Sequence, residues 1–91
     1  MKLIKLSQFE DYTQEQLIEL VRVIQYIENP SIELQLAVVK QNGNAIYYIK
    51  NPSLEVQLAA VKQDGLALEY IKNPSIEVQI EAVKQNGRAI Y

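Results

Sequence analysis

The chain has 91 residues, of which 48% are hydrophobic and 22% are charged, and its formal net charge is -2. A domain of this size buries only about 60% of the surface that its unfolded chain exposes, so any function must fit a small body. The nearly balanced charge gives no long-range attraction for nucleic acids or anionic membranes. Because the sequence contains neither cysteine nor histidine, disulfides, thiolate chemistry and the usual zinc and copper ligand sets are excluded, and we expect no metal or cofactor.

The N-terminal segment, residues 1 to 25, differs in pattern from the rest of the chain. Glu10 and Asp11 come before any apolar stretch long enough for a signal peptide. The sequence also lacks a run of the roughly 18 to 20 apolar residues that a membrane span requires. We therefore expect a cytoplasmic protein. Thr13 and Gln16 are spaced as in a capping box, which predicts a helix from about 14 to 27 that caps the N-terminal end of the fold.

Residues 26 to 91 repeat with a period of 22 residues. All the prolines and glycines of the chain fall in register, namely Pro30, Pro52, Pro74, Gly43, Gly65 and Gly87. A unit of this length buries its apolar face only against neighbouring copies. The sequence therefore predicts one domain made of a cap segment (1–25) and three units, at 26–47, 48–69 and 70–91.

An Asn-Pro pair opens the long helix that we predict in each unit, and a glycine closes it. Proline pushes the preceding asparagine into extended backbone, as at an N-cap, and itself fits the first helical turn. The glycine supplies a left-handed residue just past the helix end. We therefore predict long helices at 30–42, 52–64 and 74–86. The stretches 45–49 and 67–71 leave room for about one and a half turns of a short, partly 3₁₀ helix.

The alternation of long and short helices predicts an all-α fold, a right-handed α-solenoid of three repeats with an N-terminal capping helix. The motif Asn-Pro-Ser-x-Glu-Val-Gln-x-x-Ala-Val-Lys-Gln-Asn-Gly resembles that of a helical repeat family found in bacteria and their phages. It is similar, more distantly, to HEAT-type and variant leucine-rich repeats. This resemblance implies an α-solenoid of phage origin, located in the host cytoplasm, with no catalytic residues to carry over.

Positions that change between otherwise regular copies predict a partner-binding edge beside the glycine turns and short helices. The candidates are Asn44, Tyr47, Leu66, Glu69, Arg88 and Tyr91. Tyrosine and arginine are enriched at binding hot spots. Ordinary variation of surface residues is the alternative explanation. Tyr48 and Tyr70 stay in register, and we expect their rings to pack inside with the hydroxyl at the rim.

A lysine recurs once per unit on the long helix, at Lys40, Lys62 and Lys84. Such a ladder could follow a phosphate backbone. Glutamates recur on the same side of the helices and should largely neutralise it, so nucleic acid is an unlikely partner and a solvated face is the competing interpretation.

The last unit has no following copy in this sequence, so an apolar strip that includes Val78 and Ala82 is expected to be uncovered. Burial of that strip predicts a homodimer through the C-terminal repeat, and the alternative is a monomer in which Glu81, Arg88 and Tyr91 screen that end.

No sequence pattern in the chain is typical of an enzyme. The glycines are helix stops rather than a phosphate-binding loop, and no nucleophile is accompanied by a histidine base. We therefore expect a non-catalytic protein-binding module, in the phage context an accessory protein that blocks a host defence protein. The alternatives are a nucleic-acid-associated factor that uses the lysine ladder and a structural oligomeric scaffold.

Overall fold

The computed structural model describes residues 12–88, and within this range the chain is all-helical, without β-strands. The α-helices are α1 (Gln14–Val23), α2 (Ile32–Gln41), α3 (Leu54–Gln63) and α4 (Ile76–Gln85). Short 3₁₀ helices lie at Ile24–Tyr26, Gly43–Tyr48 and Gly65–Tyr70, and the last two are called the Gly43 helix and the Gly65 helix. The predicted all-α class is confirmed. Residues 1–11 of the cap segment and the candidate Tyr91 lie outside the described residues.

Helix α1 begins with the predicted capping box. The Oγ1 of Thr13 accepts a hydrogen bond from the backbone N–H of Gln16 at 3.1 Å, and the Oε1 of Gln16 accepts one from the backbone N–H of Thr13 at 2.8 Å. These two bonds satisfy donors that a helix N-terminus otherwise leaves free. The α-helix is shorter than predicted, because its last turn continues as the 3₁₀ helix Ile24–Tyr26.

The long helices α2, α3 and α4 are capped by serine rather than by asparagine. The Oγ of Ser31 accepts a hydrogen bond from the backbone N–H of Leu34 at 3.1 Å. Ser53 and Ser75 form the same bond at 3.3 Å in the following copies. The prediction that the asparagines are N-caps is therefore wrong, and each long helix begins two residues later than predicted.

The asparagines instead form the turn that leads into each long helix. Their φ angles are 56° at Asn29, 50° at Asn51 and 52° at Asn73, in the left-handed region. Asparagine is one of the few residues other than glycine that adopt this conformation readily. The Asn-Pro pair thus reverses the chain, and the following serine starts the helix.

The glycines also have a different role from the predicted one. None of the glycines among residues 12–88 has a positive φ. A Cβ on Gly43 would lie 2.5 Å from the carbonyl oxygen of Ala60, and one on Gly65 would lie 2.5 Å from that of Ala82. At Gly87 the same position has no atom within 4 Å. Glycine is therefore required where the next long helix approaches the backbone closely.

Consecutive helices pack side by side, α1 on α2, α2 on α3 and α3 on α4. The Gly43 helix contacts α2 and α3, and the Gly65 helix contacts α3 and α4. The core consists of small and branched apolar side chains from all these elements: Ile24, Leu34, Val38, Val39, Ala45, Ile46, Ile49, Val56, Ala60, Val61, Ala67, Leu68, Ile71, Val78 and Ala82. No helix within residues 12–88 has the length and hydropathy to cross a membrane.

The expected exposure of Val78 and Ala82 is wrong. Both side chains are fully buried, because α4 packs against α3 and the Gly65 helix and the carbonyl oxygen of Ala82 faces Gly65. Helix α4 exposes Ile76 and Ile80 instead.

Candidate functional site

The Gly43 helix places two adjacent tyrosines at the surface. A 3₁₀ helix has three residues per turn, so one side of a six-residue segment is easily buried while the other is exposed. Ala45 and Ile46 are buried in the core, whereas Tyr47 is 64% exposed and Tyr48 is 42% exposed. The local helix type therefore decides which side chains face outward.

Tyr47, Tyr48 and Tyr70 form a cluster that we call the tyrosine patch. The ring centroids of Tyr47 and Tyr48 are 5.1 Å apart with the rings inclined at 82°. Those of Tyr47 and Tyr70 are 5.3 Å apart at 72°. Both pairs have the edge-to-face geometry that aromatic rings prefer. The patch joins two successive copies, because Tyr70 ends the Gly65 helix.

The expectation that Tyr48 and Tyr70 serve the core is wrong, because they are 42% and 40% exposed. In the Gly65 helix the buried side is formed by Ala67 and Leu68. Sequence reasoning assigned these tyrosines to packing because they recur in register. A residue that recurs with the period takes the same position in each copy, however, and that position can be either buried or exposed.

Two shallow hollows are lined by both Tyr47 and Tyr70. One, of about 460 Å³, is lined by the patch together with Val21, Asn42, Asn44 and Ala45. The other, of about 670 Å³, contains Lys50 and Lys72 but no carboxylate among its lining residues. Lys50 also lines a further hollow with Tyr48 and Glu28. The patch therefore combines aromatic surface with polar amides on one side and two cations on the other. Aromatic anchors with polar margins are typical of protein–protein interfaces.

Five of the six residues of the predicted partner-binding edge fall within the described range, and all five are exposed: Asn44, Tyr47, Leu66, Glu69 and Arg88. Only Tyr47 belongs to the patch, and Asn44 lines the adjoining hollow. The Nδ2 of Asn44 donates a hydrogen bond to the Oδ2 of Asp64 at 3.3 Å, which links successive copies. Neither hollow beside the patch includes Leu66, Glu69 or Arg88 among its lining residues.

The lysines of the ladder, Lys40, Lys62 and Lys84, are all exposed. Lys40 and Lys62 line a hollow of about 370 Å³ between α2 and α3, and Glu55 lines the same hollow. A carboxylate beside two ammonium groups lowers the local positive potential. At Lys40 and Lys62 the ladder is thus part of a mixed-charge surface.

The glutamines that recur on the long helices are used within their own copies. The Nε2 of Gln35 donates a hydrogen bond to the carbonyl oxygen of Pro30 at 2.9 Å. Gln57 and Gln79 form the equivalent bonds at 2.9 and 3.0 Å. These side chains hold the turn against the helix that it precedes. In the described part of the chain, no three Asp or Glu side chains group as metal ligands would.

Residues 31–75 match the model of a family described as a domain of unknown function, DUF4116. This stretch runs from the serine that caps α2 to the serine that caps α4. It therefore covers two full periods of the repeat, including the tyrosine patch. No curated protein and no solved structure matches the chain.

Proposed function

We propose that this chain is a non-catalytic protein-binding repeat module, and that the tyrosine patch is the centre of its binding surface. The observation that carries the proposal is the exposure of Tyr47, Tyr48 and Tyr70 while their rings remain in edge-to-face contact. Aromatic rings held rigidly at a surface give a large contact area at a low entropic cost on binding.

The proposal includes the architecture, a right-handed α-solenoid of three long-helix and short-helix units behind an N-terminal capping helix. Its support is the recurrence of the same contacts at 22-residue intervals. The close approach of a glycine to the next long helix has the same distance of 2.5 Å at Gly43 and Gly65. The serine caps and the glutamine bonds recur with the same period. A stack of this kind is rigid, so neighbouring copies together can build one binding surface.

A surface that performs no chemistry acts by occupying its target or by recruiting it. The proposal therefore extends to an accessory protein of a phage, in the host cytoplasm, that blocks a host defence protein by steric occlusion. Of the alternatives, a nucleic-acid-associated factor is less well supported, because Glu55 lies beside Lys40 and Lys62 and the net charge is -2.

The test is affinity capture from a nuclease-treated bacterial lysate with three versions of the chain. These are the wild type, a patch variant (Tyr47→Ala with Tyr70→Ala) and a ladder variant (Lys40→Glu, Lys62→Glu and Lys84→Glu). We expect the wild type and the ladder variant to retain the same protein and the patch variant to lose it. Since the rings are not part of the buried core, the patch variant should keep its helical circular dichroism and unfold cooperatively, with a moderately lower melting temperature.

Loss of binding in the ladder variant alone would support the nucleic-acid alternative instead, as would capture that is seen only from an untreated lysate or that disappears on raising the salt concentration. Equal capture by the wild type and the patch variant would show that the binding site does not include the tyrosine patch.

A further inference from the structure

The three long helices present chemically equivalent faces in different surroundings. Val39 in α2 and Val61 in α3 are fully buried, whereas the equivalent Val83 in α4 is partly exposed. Leu36 and Leu58 are partly buried against the core, but the equivalent Ile80 is 52% exposed. At these two positions the face that α2 and α3 bury is therefore left open on α4, whereas Ile32 and Leu54, the equivalents of Ile76, are themselves 40% and 47% exposed.

The difference follows from what packs on each helix. Helix α2 is followed by α3, and α3 by α4, each packed against the one before it. No described element covers the corresponding face of α4, which borders a hollow of about 360 Å³. Ile76, Ile80 and Val83 line this hollow, and we call them the α4 strip. Ile76 is 68% exposed, so the strip presents a contiguous apolar surface of the kind that marks an interaction site.

We propose that the α4 strip binds the same strip of a second copy of the chain, with the two α4 helices antiparallel about a two-fold axis. This moves the self-association surface from Val78 and Ala82 to the opposite side of the same helix. The copies α2 and α3 supply the physical precedent at the positions equivalent to Ile80 and Val83, which are buried or partly buried in each of them where the next long helix packs.

Charge complementarity favours the antiparallel two-fold arrangement. Glu77 and Lys84 are both exposed and differ by only about 20° around the helix, so they lie on one edge of the strip. Ile80 lies close to the midpoint between them. When two such helices pack antiparallel about a two-fold axis near Ile80, Glu77 of each copy faces Lys84 of the other. Both of these cross-pairs attract. A parallel two-fold pairing would instead place Glu77 level with Glu77 and Lys84 level with Lys84, so no Glu77–Lys84 cross-pair would form.

The size of the strip sets the expected affinity. One face of a ten-residue helix lies at the low end of interface sizes, so the association should be weak and concentration-dependent. The two-fold contact uses up the strip on both copies, so the assembly stops at the dimer.

Sedimentation equilibrium over protein concentrations from about 1 µM to about 1 mM tests the proposal, because weak dimers fall in this affinity range. We expect the mass to rise from 10.4 kDa to twice that value. The variant Ile80→Glu should remain monomeric throughout. The control Leu66→Glu changes an apolar residue that is also exposed but lies off the strip, and it should dimerise like the wild type. Unchanged circular dichroism of both variants shows that they are folded.

Charge reversal tests the geometry. Lys84→Glu alone should weaken the dimer, because it faces Glu77 of the second copy with a like charge. Adding Glu77→Lys to the same chain should restore it. A wild type that stays monomeric at the highest concentration, a mass that grows beyond the dimer, or a double variant that is no better than the single one would each overturn the proposal. The patch variant Tyr47→Ala with Tyr70→Ala should dimerise normally, which separates this inference from the proposed partner site.

Discussion

The junction between α3 and α4 and the open face of α4 are built from nearly the same residues, yet they differ in what those residues do. At the junction, Gly65 lies against the carbonyl of Ala82, while the equivalent Gly87 has no atom within 4 Å of the Cβ position. Val61 is fully buried and Val83 is not. In a repeat protein the identity of a residue therefore does not determine its energetic role. That role depends on whether another helix is packed against its copy.

The glycines provide the largest contrast. Gly65→Ala places a Cβ 2.5 Å from the Ala82 carbonyl oxygen, so the Gly65 helix and α4 must separate, and we expect the free energy of unfolding to fall by about 3 kcal/mol. Gly87→Ala meets no neighbour and should change it by less than about 0.5 kcal/mol. Urea titration followed by circular dichroism measures both. Equal effects of the two substitutions would contradict the close approach as the reason for glycine.

Val61 and Val83 allow the same comparison with substitutions that remove side-chain volume, whereas the glycine substitutions add it. Val61→Ala removes two buried methyl groups and leaves a cavity, which should cost about 2 kcal/mol of unfolding free energy. Val83→Ala removes the same groups from a partly exposed site and should cost less than about 1 kcal/mol. The measurement is urea denaturation at a concentration where the chain is monomeric. A cost at Val83 as large as at Val61 would mean that the α4 strip is already covered within one chain.

The turns between copies provide the smallest of the three contrasts in stability. Asn51 has a φ of 50°, so Asn51→Ala forces a Cβ-bearing residue without a compensating side-chain hydrogen bond into left-handed backbone and should cost about 1 kcal/mol. Asn51→Gly should be tolerated better, because glycine adopts this conformation freely. Melting temperatures of the two variants give the order. If alanine were tolerated as well as glycine, the left-handed turn would not be the reason for asparagine.

Local sequence signals predicted the helices well and their ends less well. The 22-residue period, the capping box at Thr13 and the short 3₁₀ helices were all recognisable, because each depends on residues close in sequence. The motif Asn-Pro-Ser contains two residue types that favour N-caps. The pre-proline preference pointed to the asparagine, but the structure places Ser31 at the cap and Asn29 in the turn.

The remaining errors concern contacts between copies, which a local pattern does not contain. The requirement for Gly43 arises from Ala60 in the next helix, so its reason is invisible within its own unit. Helix α4 carries apolar residues on two sides, and the sequence does not say which side packs onto α3. The apolar pattern alone therefore does not distinguish Val78 from Ile80 as the exposed residue. The tyrosine patch was missed in part for the same reason, since Tyr47 and Tyr70 come from different copies.

The most direct test of the proposed function compares how much the tyrosine patch and the α4 strip each contribute to the affinity for one ligand. That ligand is the protein that the wild type captures. Titration calorimetry would measure its affinity for the wild type, for Tyr47→Ala with Tyr70→Ala, and for Ile80→Glu. Loss of two aromatic anchors should weaken binding by at least about 30-fold, the equivalent of a 2 kcal/mol hot spot, while Ile80→Glu should bind as tightly as the wild type. Wild-type affinity in the tyrosine variant, with loss of binding in Ile80→Glu, would contradict the account and make the α4 strip the partner site.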